Sequence, residues 1–96
     1  MKAIRINEFG GPDTMKYQDV ADPSPGEGEA LVALQAVGVN YTDVYSRAGI
    51  NPGPSLPRTI GVEGAGVVQA VGTGVTDVKV GDDIAYCSVN GSYAEK

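Results

Sequence analysis

Apolar and polar residues alternate along most of the chain, which is the period of half-buried β-strands. The alternation predicts a strand over residues 2–7 and a second over residues 15–19, separated by a Gly-Gly-Pro-Asp turn at 10–13. Two such strands joined by a turn favour an antiparallel hairpin. A longer strand is predicted over residues 30–39, where apolar residues fall on both faces, as in a strand inside a barrel.

The period changes at residues 40–49, the one segment whose pattern favours a helix. Asn40 can cap the first turn, Asp43 follows three residues later as in a capping box, and Gly49 can supply a left-handed end. The spacing also predicts an ion pair between Asp43 and Arg47, four residues apart. The functional alternative is a polar wall whose amide, carboxylate and phenol groups face a ligand.

Proline and glycine shape the second half of the chain. Prolines at 52, 54 and 57 exclude a helix or a central strand from the loop after the helix. A strand is predicted over residues 59–71, broken by glycines at 61, 64 and 66, which indicate sharp bends or a close approach of another backbone. Short strands are predicted over residues 84–88 and 93–95, so the expected fold is a mostly β small barrel with one short helix.

The strand pattern runs to the last residues without a closing turn, from which we expect the 96 residues to be one domain of a longer protein. The net charge is −5, and the 7 basic side chains form no cluster, which argues against nucleic acid as a partner. No segment is apolar over the ~20 residues that span a bilayer, and no leader pattern is visible, so we expect no membrane partner and a cytoplasmic location. One cysteine and no histidine exclude a disulfide framework and a Cys/His zinc site within these residues.

Three local features have an ordinary structural reading. The glycine run at 61–66 invites a dinucleotide-binding fingerprint, but Gln69 stands where the third glycine belongs and a strand follows, so we interpret the run as a bent strand. Cys87 is predicted to be a small buried hydrophobe, since no histidine can activate it. Glu63 is predicted to be solvated or ion-paired, with a buried functional carboxylate as the alternative, and the other charges are predicted to be solvated.

Several motifs, in this order and spacing, resemble the medium-chain dehydrogenase/reductase superfamily, and within it the zinc-independent, zeta-crystallin-like quinone oxidoreductases. They are KAIR and EFGGP within residues 2–12, AVGVNYTD at 36–43, GVEGAGVV at 61–68 and VKVGD at 78–82. The resemblance implies that residues 1–96 are the N-terminal part of a catalytic domain with a co-chaperonin-like (GroES-like) barrel. It places the Rossmann cofactor domain outside this chain.

The resemblance also implies that no metal is bound. Zinc-dependent alcohol dehydrogenases of the same superfamily carry a cysteine where this chain has Asn40, and a histidine where it has Val62. Zinc needs such ligands, so the usual catalytic zinc site cannot form here. The implied cofactor is NADPH, held mainly by the domain outside this chain.

The implied reaction transfers a hydride from NADPH to a quinone or an activated carbonyl, while the protein supplies orientation and electrostatics. The resemblance assigns both catalytic and cofactor-binding roles to Asn40, Asp43 and Tyr45, which act by hydrogen bonding. Tyr45 is the candidate donor to the developing oxyanion. Tyr41, Arg47 and Glu63 are substrate-side neighbours. The complete protein is expected to be a homodimer acting on a small molecule, and these 96 residues alone are expected to be inactive.

Three alternatives stay open at this point. Within the superfamily, an enoyl or alkenal reductase would act on a carbon–carbon double bond. A non-enzymatic, co-chaperonin-like ring subunit is suggested by the segments at 66–71 and 77–82, although such a subunit has no counterpart of the helix. A relative that kept the fold only for binding would lack reductase activity altogether.

Overall fold

The part of the chain that the structure describes folds into two antiparallel three-stranded sheets and one α-helix. The computed structural model describes residues 1–51 and 53–96, and the loop proline at 52 lies outside the described residues. The first sheet has the strand order β2-β1-β4 and the second β3-β5-β6. The elements are β1 Lys2–Ile6, a 3-10 turn Pro12–Thr14, β2 Met15–Asp19, β3 Ala30–Val37, α1 Tyr41–Ala48, β4 Arg58–Thr59, β5 Glu63–Val71 and β6 Asp83–Cys87.

The mostly β fold with a single short helix is confirmed, and so is the N-terminal hairpin. β1 and β2 pair antiparallel with Ile4 opposite Tyr17, and the 3-10 turn lies between them. In the described residues no helix is long and apolar enough to cross a membrane.

The strand predicted over residues 59–71 is in fact two strands in different sheets. β4 pairs with β1 in the first sheet, and β5 pairs with β3 and β6 in the second. Between them lies Gly61 with φ +94°, a conformation that an extended strand does not contain and that favours glycine. The bend at Gly61 therefore carries the chain from one sheet to the other.

The strand predicted over residues 93–95 is reduced to one isolated bridge, between Ala3 and Ala94. The reason is that its backbone carbonyls accept hydrogen bonds from strands of both sheets. The amide of Ile4 in β1 donates to the carbonyl of Tyr93 (2.8 Å), and the amide of Leu34 in β3 donates to the carbonyl of Glu95 (2.9 Å). This segment joins the two sheets and extends neither of them.

The core is small and drawn from both sheets. Its buried apolar side chains are Ala3, Ile6, Val32, Ile60 and Val68. β5 can lie close to β3 because Gly66 has no side chain: a Cβ there would collide with the carbonyl oxygen of Ala33. The register between the two strands also shifts at Leu34/Ala36. The expected close backbone approach is confirmed at Gly66, and the expected bend is confirmed at Gly61.

Replacing Gly61 with alanine tests the bend between the sheets. A Cβ at Gly61 would collide with Ser92 Oγ and with the ring of Tyr93. The Gly61→Ala change should therefore cost roughly 3 kcal/mol or more, because overpacking adds to the backbone strain. Gly91→Ala is the matched control, since Gly91 also has a positive φ but faces open space. Urea unfolding measures both, and equal losses in the two variants would contradict this account.

Candidate functional site

Helix α1 begins and ends where the sequence predicts. Asn40 is extended (φ −126°, ψ 153°) at the N-cap, and its backbone amide donates to Asp43 Oδ2 at 3.0 Å, which is the Asp43 half of a capping box. Gly49 stands at the C-cap in the left-handed region (φ 83°), and its amide donates to the carbonyl of Ser46. The first turn is therefore fixed by the side chain of Asp43.

Asp43 is buried, with only 4% of its surface exposed. Its Oδ2 accepts a second hydrogen bond from the hydroxyl of Tyr93, at 2.7 Å. Burial raises the pKa of that hydroxyl, and the hydrogen bond to the carboxylate raises it further. Tyr93 therefore stays protonated and donating at neutral pH.

The ion pair predicted between Asp43 and Arg47 is wrong. Arg47 Nε donates to the backbone carbonyl of Gly10 at 3.1 Å, and no salt bridge joins it to Asp43 in the described residues. The reason is that the Asp43 carboxylate bonds to the N-cap amide and to Tyr93, so it does not lie over the next turn of the helix.

Two buried polar atoms at the start of α1 have no partner among the described residues. They are Nδ2 of Asn40, a donor, and Oδ1 of Asp43, an acceptor. Buried polar groups are nearly always hydrogen-bonded. Two other such atoms, Arg58 Nε and Ser92 Oγ, lie in separate segments, so among the described residues it is the start of α1 that places an unpaired donor beside an unpaired acceptor. The structure thus brings together two of the three residues that the resemblance assigned to catalysis and cofactor binding.

The third residue, Tyr45, lies elsewhere on the helix. Positions two apart on an α-helix point to opposite sides. Tyr45 is 41% exposed while Asp43 is buried. The ring of Tyr45 meets that of Tyr41 edge to face, with centroids 5.3 Å apart. Tyr41 and Tyr45 therefore form an outer aromatic pair, separate from the buried polar pair of Asn40 and Asp43.

Glu63 lies near the start of the helix. Its carboxylate occupies the space where a side chain at Gly38, two residues before Asn40, would stand. Its backbone carbonyl accepts the amide of Gly38 at 3.1 Å. Glu63 is half-buried and forms no ion pair within the described residues, so the ion-paired interpretation is wrong.

Two sequence predictions about side-chain burial are wrong. Cys87 is exposed, because β6 is an edge strand whose alternate side chains face away from the core. Arg58 is buried at 6% exposure, although it was grouped with the solvated charges. Its guanidinium donates to the carbonyls of Pro54 (2.8 Å) and Ser46 (2.7 Å) and lies over the ring of Phe9. No local pattern marks such a residue, since its partners are backbone carbonyls of other segments.

Within residues 1–51 and 53–96, no group of three or more His, Cys, Asp or Glu side chains is placed to hold a metal ion.

Replacing Asp43 with alanine tests the buried hydrogen bonds at the start of α1. The change removes the capping interaction and leaves the Tyr93 hydroxyl without an acceptor, so it should lower the free energy of unfolding by roughly 2–4 kcal/mol. Asp77→Ala, at an exposed aspartate, is the control and should cost less than about 0.5 kcal/mol. Denaturant titration of both variants gives the comparison. A loss at Asp43 no larger than at Asp77 would contradict the assignment.

Comparison with known proteins identifies the family. Residues 26–95 match the model of the alcohol dehydrogenase GroES-like domain. The chain is 44% identical to a quinone oxidoreductase of Pseudomonas aeruginosa and 48% identical to one of Lama guanicoe, over 98% and 99% of its length.

The structural likeness is equally extensive. The crystal structure of Escherichia coli quinone oxidoreductase complexed with NADPH superposes with a TM-score of 0.94 at 36% identity, over 99% of this chain. The chain spans only 29–30% of the length of these relatives. Both the mostly β, GroES-like fold and the resemblance to quinone oxidoreductases are confirmed, and the chain belongs to the alcohol dehydrogenase GroES-like domain family.

Proposed function

We propose that residues 1–96 are the N-terminal part of the catalytic domain of an NADPH-dependent quinone oxidoreductase that works without zinc. Its Rossmann cofactor domain would lie outside this chain. The observation that carries the proposal is the superposition of 99% of the chain on the NADPH complex of a quinone oxidoreductase. The identities of 44% and 48% to relatives of the same name support it.

The polar groups at the start of α1 suit the cofactor's ring and the substrate better than its phosphates. The carboxamide of a nicotinamide and the carbonyl of a quinone both accept hydrogen bonds, and Asn40 Nδ2 is a donor without a partner among the described residues. The nearby cations are already engaged, since Arg47 donates to Gly10 and Arg58 to Pro54 and Ser46. Phosphate binding therefore falls to the domain outside this chain.

When bound, NADPH supplies the hydride. In this proposal the exposed hydroxyl of Tyr45 donates to the substrate oxygen on which negative charge develops. The amide of Asn40 orients the nicotinamide ring. Asp43 acts by holding the backbone of Asn40, whose amide donates to its Oδ2. Tyr41 supports the ring of Tyr45 from the side.

Other expectations from the sequence stay predictions. Arg47 and Glu63 are proposed substrate-side neighbours, although the Arg47 side chain is held by Gly10. A homodimer, a cytoplasmic location and a small-molecule quinone or enone substrate are proposed for the complete protein.

Intact mass is the test of the proposed domain arrangement. The 9.8 kDa chain spans 29–30% of its relatives, so the protein from its natural source should have roughly three times that mass. Mass spectrometry of the purified natural protein checks this. A mass of 9.8 kDa would overturn the arrangement and turn attention to ring assembly of a co-chaperonin-like module.

Loss of the Tyr45 hydroxyl tests the proposed chemistry in the complete protein. Tyr45→Phe should lower kcat for NADPH-dependent quinone reduction about 10-fold, less than the 10²–10³-fold of a fully buried oxyanion donor, because solvent reaches this side chain. Tyr17→Phe is the matched control, since Tyr17 is 70% exposed on β2 and should leave kcat unchanged.

The same assay separates the alternatives. Equal rates for the Tyr45→Phe and Tyr17→Phe variants would remove Tyr45 from the site. Turnover of an enone but not of a quinone would assign the protein to the enoyl reductases. If the protein oxidises NADPH neither with a quinone nor with an enone, the result would favour a relative that kept the fold only for binding.

A further inference from the structure

Tyr93 is a residue that the sequence patterns and the family resemblance did not assign to the site. It lies 50 positions from Asp43 in the chain, yet its hydroxyl donates to the buried carboxylate of Asp43 at 2.7 Å. We infer that Tyr93 is a positioning residue for the proposed reaction: through Asp43 it fixes the start of α1, from which Asn40 and Tyr45 face the cofactor and the substrate. This inference rests on the proposed function.

The side chain of Tyr93 is anchored on the strand side of the fold before it reaches the helix. Its backbone amide donates to the carbonyl of Ile60 at 2.9 Å, and its carbonyl accepts the amide of Ile4 in β1 at 2.8 Å. Its ring packs against Gly61, where no side chain could be accommodated. Because the backbone and the ring of Tyr93 are both held in place, its hydroxyl has a fixed position from which it donates to Asp43.

The first turn of α1 receives few other side-chain hydrogen bonds. Among the described residues, Asn51 donates to the Oγ1 and the backbone carbonyl of Thr42, and Tyr93 donates to Asp43. Asn51 lies just past the end of α1, so it connects the helix only to the segment that directly follows it. The bond from Tyr93 is the one that ties this turn to the sheets.

Asp43 transmits the restraint to the backbone. The oxygen that accepts the Tyr93 hydroxyl, Oδ2, also accepts the backbone amide of Asn40. A carboxylate that loses one of two donors is free to reorient, and its capping bond to Asn40 then weakens. Movement of Asn40 by a fraction of an ångström misplaces its amide relative to the reacting atoms, which lowers the rate without removing any group that contacts the ligand.

The test uses the complete protein and a matched pair of variants. Tyr93→Phe removes the hydroxyl and keeps the ring on Gly61. Tyr86→Phe is the control, because Tyr86 on β6 is half-buried and its hydroxyl forms no hydrogen bond within the described residues. We expect Tyr93→Phe to lower kcat for quinone reduction about 5- to 10-fold, less than the full loss of a hydrogen bond to a charged group would give, because Tyr93 acts on Asn40 through Asp43, with KM for NADPH changed less than about twofold.

A double-mutant cycle shows whether Tyr93 acts through Asp43. Asp43→Ala removes both acceptor oxygens. The variant carrying both Tyr93→Phe and Asp43→Ala should have a kcat within about twofold of Asp43→Ala alone, because the two residues share one interaction. Effects that multiply would overturn the inference and indicate direct contact of Tyr93 with the substrate. Unchanged kcat in Tyr93→Phe, or an equal loss in Tyr86→Phe, would also overturn it.

Hydrogen exchange keeps this inference separate from the proposed function. The amide of Asn40, which donates to Asp43 Oδ2, should exchange about 10-fold faster in Tyr93→Phe than in Tyr86→Phe. If the wild-type protein reduces no quinone, the proposed function fails and the positioning role in the reaction fails with it, while faster exchange would still show the restraint on α1. If the wild-type protein is active and exchange at Asn40 is unchanged, only the positioning role is overturned.

Discussion

The buried carboxylate of Asp43 is the constraint on which the functional part of the structure depends. A carboxylate out of water is costly unless donors surround it. Here Oδ2 accepts both the backbone amide of the N-cap residue Asn40 and the hydroxyl of Tyr93, while Oδ1 has no partner among the described residues. Displacement of the helix start would break the bond from Asn40 and leave this buried carboxylate with one donor, so the two bonds together hold the helix start in place.

The position of the helix start depends on a fixed arrangement of the two sheets relative to each other. The core between them is small, with few fully buried side chains, so packing alone does little to fix the geometry. The sheets are also held together by the chain itself, which passes from one to the other at Gly61. The last residues add hydrogen bonds to both β1 and β3. Tyr93 belongs to this joining segment, and the helix start is therefore held by the same segment that joins the sheets.

The division of α1 into a buried polar side and an exposed aromatic side has a functional consequence. A single helix turn cannot present residues 43 and 45 to one ligand, since they lie on opposite sides. The three residues assigned by family resemblance thus have different tasks in the proposed reaction: Asp43 supports the backbone, Asn40 stands at the junction, and Tyr45 is accessible from outside. The sequence pattern identified residues 40–49 as the candidate segment, and the different burial of Asp43 and Tyr45 in the structure separated their proposed roles.

The sequence alone determined the strands with clear alternation, the helix with its Asn40 cap and Gly49 end, and the family, because these depend on neighbours a few positions apart or on motifs in order. Only the tertiary structure decided which sheet each side of Gly61 joins, the burial of Arg58, the exposure of Cys87 and the partner of Asp43. Each of these depends on contacts between residues distant in the chain. A capping aspartate and an ion-paired aspartate have the same local pattern, and what separates them is a hydroxyl 50 residues away.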